Sequence, residues 1–229
     1  MKKSLFETLK QAYANKELWV EVKSELKAAG RSTDVSDFLD PFKNLIIGIL
    51  SQNTSDENSV KAWVGLTEKF EITPQSLAKA DVRKIRNSIR AGGLYNLKSK
   101  RIKELSKAVL ERFGGDLTEL TKLSKEEARE KLVDLPGIGP KTADVWLLYC
   151  ASRYVMAVDT NVDRVAKRLG MVSSSASYEK VREGLEKAFA PKERREGHEF
   201  LVRLGRDYCK PRKPLCKSCP VRELCQKRI

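Results

Sequence analysis

One lysine and one aspartate in this sequence occupy positions from which they could do chemistry on a bound ligand. Lys141 directly follows the segment "LPGIGP", and Asp159 lies eighteen residues later in "AVDTNVDRV". A lysine amine is a nucleophile when it is neutral, and a nearby carboxylate can accept a proton or stabilise a cationic sugar. The pair therefore favours attack on a sugar carbon of a nucleic acid. The alternatives are an ordinary surface lysine and an aspartate that caps a helix.

The segment before the lysine is predicted to be a turn between two helices, 124–135 and 141–151. Gly137 and Gly139 can adopt positive φ, and their lack of a Cβ lets backbone N–H groups approach a ligand closely. The second helix would point the positive end of its dipole at the same place. The sequence therefore predicts a phosphate-binding turn, with plain helix packing as the alternative.

Four of the five cysteines, Cys209, Cys216, Cys219 and Cys225, are spaced by six, two and five residues at the end of the sequence. Four thiolates suit either a tetrahedral zinc ion or an iron–sulfur cluster. Zinc ribbons usually use two separate Cys-x-x-Cys knuckles, whereas this run has a single two-residue gap and longer loops. The spacing therefore favours a [4Fe–4S] cluster that stabilises a segment poor in apolar residues.

The charge of the chain favours a nucleic-acid partner. The formal net charge is +14 and the sequence pI is about 9.6, and such an excess of cations most often meets phosphates. No apolar run approaches the length that crosses a bilayer, so no membrane segment is expected. Cations are dense around the cysteines: Lys210, Arg212, Lys213, Lys217, Arg222, Lys227 and Arg228.

The elements that would position these residues have helical periodicity. Ile102, Leu105, Val109 and Phe113 recur every three or four residues, and Gly114 follows as a stop signal. The only strand-like run, "YVMAV" at 154–158, is too short and solitary to build a sheet. The predicted fold class is all-α.

Three patterns predict where helices begin. Thr54 with Glu57, and Ser124 with Glu127, have the spacing of a capping box. "DP" at 40–41 predicts a helix start with proline at the first helical position.

Three ordered motifs, "LPGIGPKTADV", "AVDTNV" and Cys-x6-Cys-x2-Cys-x5-Cys, together resemble the endonuclease III family of helix–hairpin–helix DNA glycosylases. The resemblance runs from about residue 34 to the last cysteine. It implies that Lys141 attacks C1′ of a damaged nucleoside and forms a Schiff base, after which β-elimination nicks the strand. It also implies that Asp159 assists the attack and stabilises the sugar cation, and that the four clustered cysteines hold a [4Fe–4S] cluster.

Two other stretches match the family less tightly. "ILSQNTSD" (49–56) resembles the segment that fills the hole left by an extruded base, and either Gln52 or Asn53 could be the inserted residue. "GGLYNLKSKRI" (92–102) resembles the loop that wedges the duplex open, with Leu94 as the wedge. The alternatives are a plain helix connection and a core leucine.

The resemblance implies two helical domains with a DNA-binding cleft between them. The first is a six-helix domain, 34–153, and the second combines 1–33 with 154–229 and the cluster. The expected protein is a cytoplasmic, nucleoid-associated monomer that acts on double-stranded DNA with damaged bases or abasic sites, and oxidised pyrimidines such as thymine glycol are the favoured lesions.

Two other functions compete with this one. A glycosylase for mismatched or oxidised purine bases is the nearest, but Lys141 argues against relatives that only remove bases, and the cysteine cluster argues against the oxidised-guanine group. A non-enzymatic DNA-binding protein would use the turn, the charge and the metal for binding alone, with Lys141 as a phosphate contact and Asp159 as a cap.

Overall fold

The computed structural model describes residues 4–13, 23–24, 26–27 and 36–226. Within these residues the chain forms eleven α-helices of defined limits and no strand, so the predicted all-α class is confirmed. None of the helices in this part of the chain is long and apolar enough to cross a membrane. The helices are α1 (Leu5–Tyr13), α2 (Pro41–Leu50), α3 (Asp56–Thr67), α4 (Pro74–Lys79), α5 (Val82–Ser88), α6 (Tyr95–Phe113), α7 (Lys125–Val133), α8 (Pro140–Tyr149), α9 (Thr160–Leu169), α10 (Tyr178–Ala188) and α11 (Arg194–Asp207).

The chain divides into two compact units. One comprises Trp19–Arg153, and the other combines Met1–Leu18 with Tyr154–Ile229. The domain limits drawn from the sequence differ from this division over 19–33, most of which lies outside the described residues, and they stay a prediction.

The unit Trp19–Arg153 is organised around two central helices. The long helix α6 packs against α2, α4 and α5, while α2 also packs against α3 and α8. Trp146 of α8 is fully buried, and its indole N–H donates to the carbonyl of Pro41 at 2.8 Å. The start of α2 and the middle of α8 are therefore held together, which fixes α8 within the unit.

Most of the predicted helix ends are confirmed. Helix α6 ends at Gly114, which is left-handed with φ +62°, and Ser124 with Glu127 forms a reciprocal capping box at α7. Asp40 accepts the N–H groups of the first turn of α2. The predicted capping box of Thr54 with Glu57 is wrong, because Ser55, one residue later, accepts the N–H of Asn58 and caps α3 instead.

The second unit has its own apolar core. Helix α11 packs against α1 and α9, and α9 packs against α10. Tyr13 of α1 stacks on Phe200 of α11 with ring centroids 5.9 Å apart. The segment "YVMAV" forms no strand here, as expected; its residues 155–158 are buried, and the carbonyl of Ala157 accepts a hydrogen bond from Nδ1 of His198 at 2.9 Å. This buried segment leads directly to Asp159.

Candidate active site and cysteine cluster

The turn between α7 and α8 uses its two glycines differently. Gly137 has φ +80°, and a Cβ there would lie 3.1 Å from Cδ of Arg101. Gly139 has φ −102° and ψ 177°, so it does not use the freedom of a glycine to adopt a positive φ. A Cβ on Gly139 would meet no atom of the described residues within 4 Å, its neighbours in the chain aside. Gly137 is therefore required by the fold, whereas the space at Gly139 is open for the approach of a ligand.

Lys141 is the second residue of α8 and is half-buried. Helix α8 begins at Pro140 with Gly139 as its N-cap, and no described side chain caps this end. Because the first N–H groups of a helix lack intrahelical partners and carry its positive partial charge, this end suits an anion. The lysine therefore stands at a helix start that suits an anion, and the binding of a phosphate there stays a prediction.

A buried ion pair fixes the angle between α7 and α8. Arg129 donates from Nε to Oδ1 of Asp144 at 2.7 Å and from Nη2 to Oδ2 at 3.3 Å. Asp144 is fully buried, and a two-point contact between a guanidinium and a carboxylate restricts geometry strongly. The pair joins the two helices one turn behind Lys141.

Gln52 and Asn53 have different environments. Nε2 of Gln52 donates to the carbonyl of Gly137 at 2.9 Å, and Nη1 of Arg101 donates to Oε1 of Gln52 at 2.8 Å. Asn53 is exposed and left-handed, with φ +51°. Gln52 thus links its loop to the glycine turn, while the side chain of Asn53 is accessible.

Leu94 is not a core residue. It is 51% exposed and left-handed, with φ +46°, directly before α6. A left-handed conformation costs a residue with a Cβ about 1–2 kcal/mol. An exposed apolar side chain in a strained backbone is typical of a functional loop.

Asp159 lies in the unit that contains Tyr154–Ile229. It is the N-cap of α9, and its Oδ1 accepts the N–H of Val162 at 2.7 Å. Its Oδ2 accepts from Nδ2 of Asn161 at 3.2 Å. The capping alternative is therefore realised, and it leaves a half-buried carboxylate in a fixed orientation.

The four clustered cysteines line a single pocket together with apolar side chains of the second unit. Burial, and then the negative charge of the other three thiolates, raises the pKa of the Cys219 thiol against the opposing effect of the Val221 N–H. In the described part of the chain, no three His, Cys, Asp or Glu side chains are arranged to hold one metal ion. Four thiols that line one pocket are the donor set of a [4Fe–4S] cluster and equally that of a single zinc ion, whose four sulfurs would each lie about 2.3 Å from the metal.

Arg168 ties two of the cysteines to α9. Its Nη1 lies 3.6 Å from Sγ of Cys209, and its carbonyl accepts from Sγ of Cys225 at 3.4 Å. The cations in this segment, Lys210, Arg212, Lys213, Lys217 and Arg222, are exposed, while the predicted contacts at Lys227 and Arg228 lie outside the described residues.

Two residues of this region, Lys98 and Arg101, were not predicted from the sequence. Lys98 is 1% exposed and precedes Ile102, Leu105 and Val109 by helical steps. A lysine in an otherwise apolar stripe was the available signal, since lysine is almost never fully buried without partners. Arg101 gave no such signal, because its contacts come from segments distant in sequence.

A glycine turn that leads into a helix start with no described side-chain cap, in an all-α unit of a chain whose formal net charge is +14, is the arrangement expected of a helix–hairpin–helix nucleic-acid-binding protein. The family model described as HhH-GPD superfamily base excision DNA repair protein matches residues 46–191, and the chain belongs to this superfamily. Endonuclease III of Thermotoga maritima is 37% identical over 187 residues, which are 82% of this chain and 83% of that protein.

Two solved structures of endonuclease III on DNA are similar to this chain throughout. One is a non-covalent complex, and the other is a trapped covalent intermediate. Each has a TM-score of 0.78 and a sequence identity of 27%, and each match covers 97% of this chain and 92% of the chain in the solved structure. The chain is an enzyme of base excision repair, a DNA glycosylase with abasic-site lyase activity of the endonuclease III type. The predicted family and enzyme class are confirmed.

Proposed function

We propose that the protein is a bifunctional glycosylase and lyase that removes oxidised pyrimidines, such as thymine glycol, from double-stranded DNA and nicks the strand through a Schiff base on Lys141. The observation that carries the proposal is the position of Lys141, one residue inside the capless end of α8 and directly after the glycine turn. A phosphate bound at that helix end would hold a nucleotide beside the amine. The covalent DNA intermediate described for the endonuclease III relative supports the same chemistry.

The lysine would act first. Its neutral amine forms a bond to C1′ while the bond between C1′ and the damaged base breaks, and the base leaves with a proton. Opening of the sugar ring gives the Schiff base. Loss of a C2′ proton then breaks the C3′–O bond, which cuts the strand, and water releases the lysine from the imine.

Asp159 would support this attack with its negative charge. A carboxylate near a sugar whose C1′ becomes electron-poor stabilises the cationic state, and the same group can accept the proton of the amine. The capping bond to Val162 orients the carboxylate without removing its charge. Capping and catalysis are therefore compatible roles for one side chain.

Asn53 and Leu94 would open the duplex. The exposed leucine would enter the base stack as a wedge, and such side chains partly unstack and kink DNA. Since the amide of Gln52 is engaged at both ends by Gly137 and Arg101, we infer that Asn53 fills the gap and that Gln52 acts as a structural link.

The four cysteines would hold a [4Fe–4S] cluster. Their shared pocket and their spacing support it, and the exposed cations between them offer contacts to the DNA backbone. When bound, the cluster would supply structural stability to a segment with few apolar residues. We extend the proposal to a monomer that acts on damaged or abasic chromosomal DNA in the cytoplasm, at the nucleoid.

The proposal is tested on a duplex that carries one thymine glycol. The natural protein should release the base and nick the strand, and Lys141→Ala should lower nicking by at least about a hundredfold while it still binds the duplex. Lys131→Ala, an exposed lysine of α7, is the matched control and should keep full activity. Nicking by Lys141→Ala at the rate of the control would overturn the assigned nucleophile.

A further inference from the structure

Lys98 is a buried cation held by two backbone carbonyls. It lies in the first turn of α6 and is 1% exposed. Its Nζ donates to the carbonyl of Leu50 at 2.7 Å and to that of Gly92 at 2.8 Å. Burial lowers the pKa of this lysine, and both of its hydrogen-bond acceptors are uncharged.

Both carbonyls stand at the C-terminal ends of helical segments. Leu50 is the last residue of α2, and Gly92 is the last residue of a 3-10 turn, Arg90–Gly92. Carbonyls at such ends lack intrahelical partners and carry the negative end of the helix dipole. One ammonium group therefore satisfies two helix ends that lie 42 positions apart in the sequence.

The segments that leave these two ends contain strained residues. Asn53 follows Leu50 by three positions, and Leu94 follows Gly92 by two, and both have positive φ. A non-glycine residue stays in that region only when its surroundings impose it. The 90–92 turn is also packed tightly, because a Cβ on Gly92 would lie 2.9 Å from the Cβ of Ala62.

We propose that Lys98 is a positioning residue that fixes the loops 51–53 and 92–94 relative to each other, so that Asn53 and Leu94 enter the duplex as one preformed unit. The inference rests on the proposed function of these two side chains. Its consequence is specific: Lys98 serves the opening of the duplex and takes no part in the chemistry at C1′.

The test compares two DNA substrates. The protein must open a duplex before it can act, whereas a single strand needs no opening. Lys98→Met keeps most of the length of the side chain and removes its donors. It should slow base release from a thymine glycol duplex by at least about tenfold, and change cleavage of a single-stranded abasic oligonucleotide by less than about threefold. Leu94→Gly, which removes the wedge itself, should give the same pattern.

Lys103→Met is the matched control. Lys103 lies five positions further along α6 and donates to the carbonyl of Ala80 at 2.6 Å, so its loss removes the same kind of bond away from the two loops. It should leave both activities unchanged. Equal losses on both substrates with Lys98→Met, or the same pattern with Lys103→Met, would overturn the inference.

A second readout does not depend on catalysis. A duplex with an uncleavable abasic analogue beside 2-aminopurine should gain fluorescence when the natural protein unstacks the base, and Lys98→Met should lose most of that gain at saturating protein. A full gain with Lys98→Met contradicts the inference. If Lys98→Met does not fold, Lys98→Gln takes its place with the same expected direction of loss, because its amide nitrogen is one bond shorter than Nζ and cannot hold both carbonyls as the ammonium group does. If the natural protein cleaves neither substrate, the proposed function fails, and the fluorescence alone decides the role of Lys98.

Discussion

Asp159 shows how one side chain can serve the fold and the proposed reaction together. Its Oδ1 accepts the N–H of Val162 and so caps α9, while the charge of the carboxylate is what the attack on the sugar would use. Asparagine caps a helix about as well as aspartate but has no charge. A single substitution therefore separates the two roles.

Asp159→Asn should leave the free energy of unfolding within about 0.5 kcal/mol of the natural value, because the cap is preserved. It should lower base release by at least about a hundredfold, since the cationic sugar loses its counter-charge. Thermal unfolding and single-turnover kinetics measure the two effects. Asp40→Asn changes an equivalent cap at α2 and is the control. If the two variants release the base at the same rate, Asp159 acts only as a helix cap.

At the scale of the elements, the turn between α7 and α8 combines two glycines with separate requirements. Gly137 needs its left-handed φ and lies against Arg101, whereas Gly139 has ordinary dihedral angles and open space on its Cβ side. The left-handed φ of Gly137 is a requirement of the fold itself. The open space at Gly139 is what the approach of a ligand to the start of α8 would require.

The two glycines should therefore respond differently to alanine. Gly137→Ala should destabilise the protein by about 1–2 kcal/mol, the cost of a left-handed residue with a Cβ. Gly139→Ala should lose less than about 1 kcal/mol, because alanine is a poorer N-cap than glycine, but it should bind duplex DNA about tenfold more weakly, because the methyl group meets the phosphate backbone. Denaturant titration and fluorescence anisotropy give the two values, and unchanged DNA affinity of Gly139→Ala would argue against contact at this turn.

Local signals in the sequence predict most elements but not the contacts between them. The apolar steps from Ile102 to Phe113 and the stop at Gly114 predict α6, and Ser124 with Glu127 predicts the start of α7. The start of α3 was mispredicted, since two adjacent hydroxyl residues, Thr54 and Ser55, offer the same capping signal.

The same contrast holds in the candidate site, where local signals predict some residues and the contacts between distant segments are not predicted. Lys141, Asp159 and the cysteines are candidates that the sequence names from their spacing and from the family resemblance. The link from Gln52 to Gly137 joins residues 85 positions apart, and no local pattern encodes it. The role of Lys98 likewise follows from two carbonyls that only the folded chain brings together.

At the scale of the whole molecule, the cysteine segment completes the second unit. Cys209, Cys219 and Cys225 pack against the apolar core formed by α1, α9, α10 and α11. A cluster bound there would join the end of the chain to that core, and binding energy of this kind is also folding energy.

The purified protein should accordingly contain about four iron atoms per chain and absorb visible light. Cys219→Ser should lower the iron content and the unfolding temperature, because one ligand and the packing of the segment are lost. Cys150→Ser is the control: this cysteine belongs to the other unit and is not among the residues that line the pocket, so the variant should keep its iron. One zinc ion per chain in place of iron would contradict the [4Fe–4S] assignment.

The central claim is the covalent bond between Lys141 and the sugar. Borohydride reduction during reaction with a thymine glycol duplex should trap a protein–DNA adduct with the natural chain and with Lys131→Ala, and the peptide that carries the sugar should contain Lys141. Lys141→Ala should give no adduct, because it has no amine at that position to form the Schiff base. An adduct that persists in Lys141→Ala, or its absence from the natural protein on both thymine glycol and abasic DNA, would contradict the account.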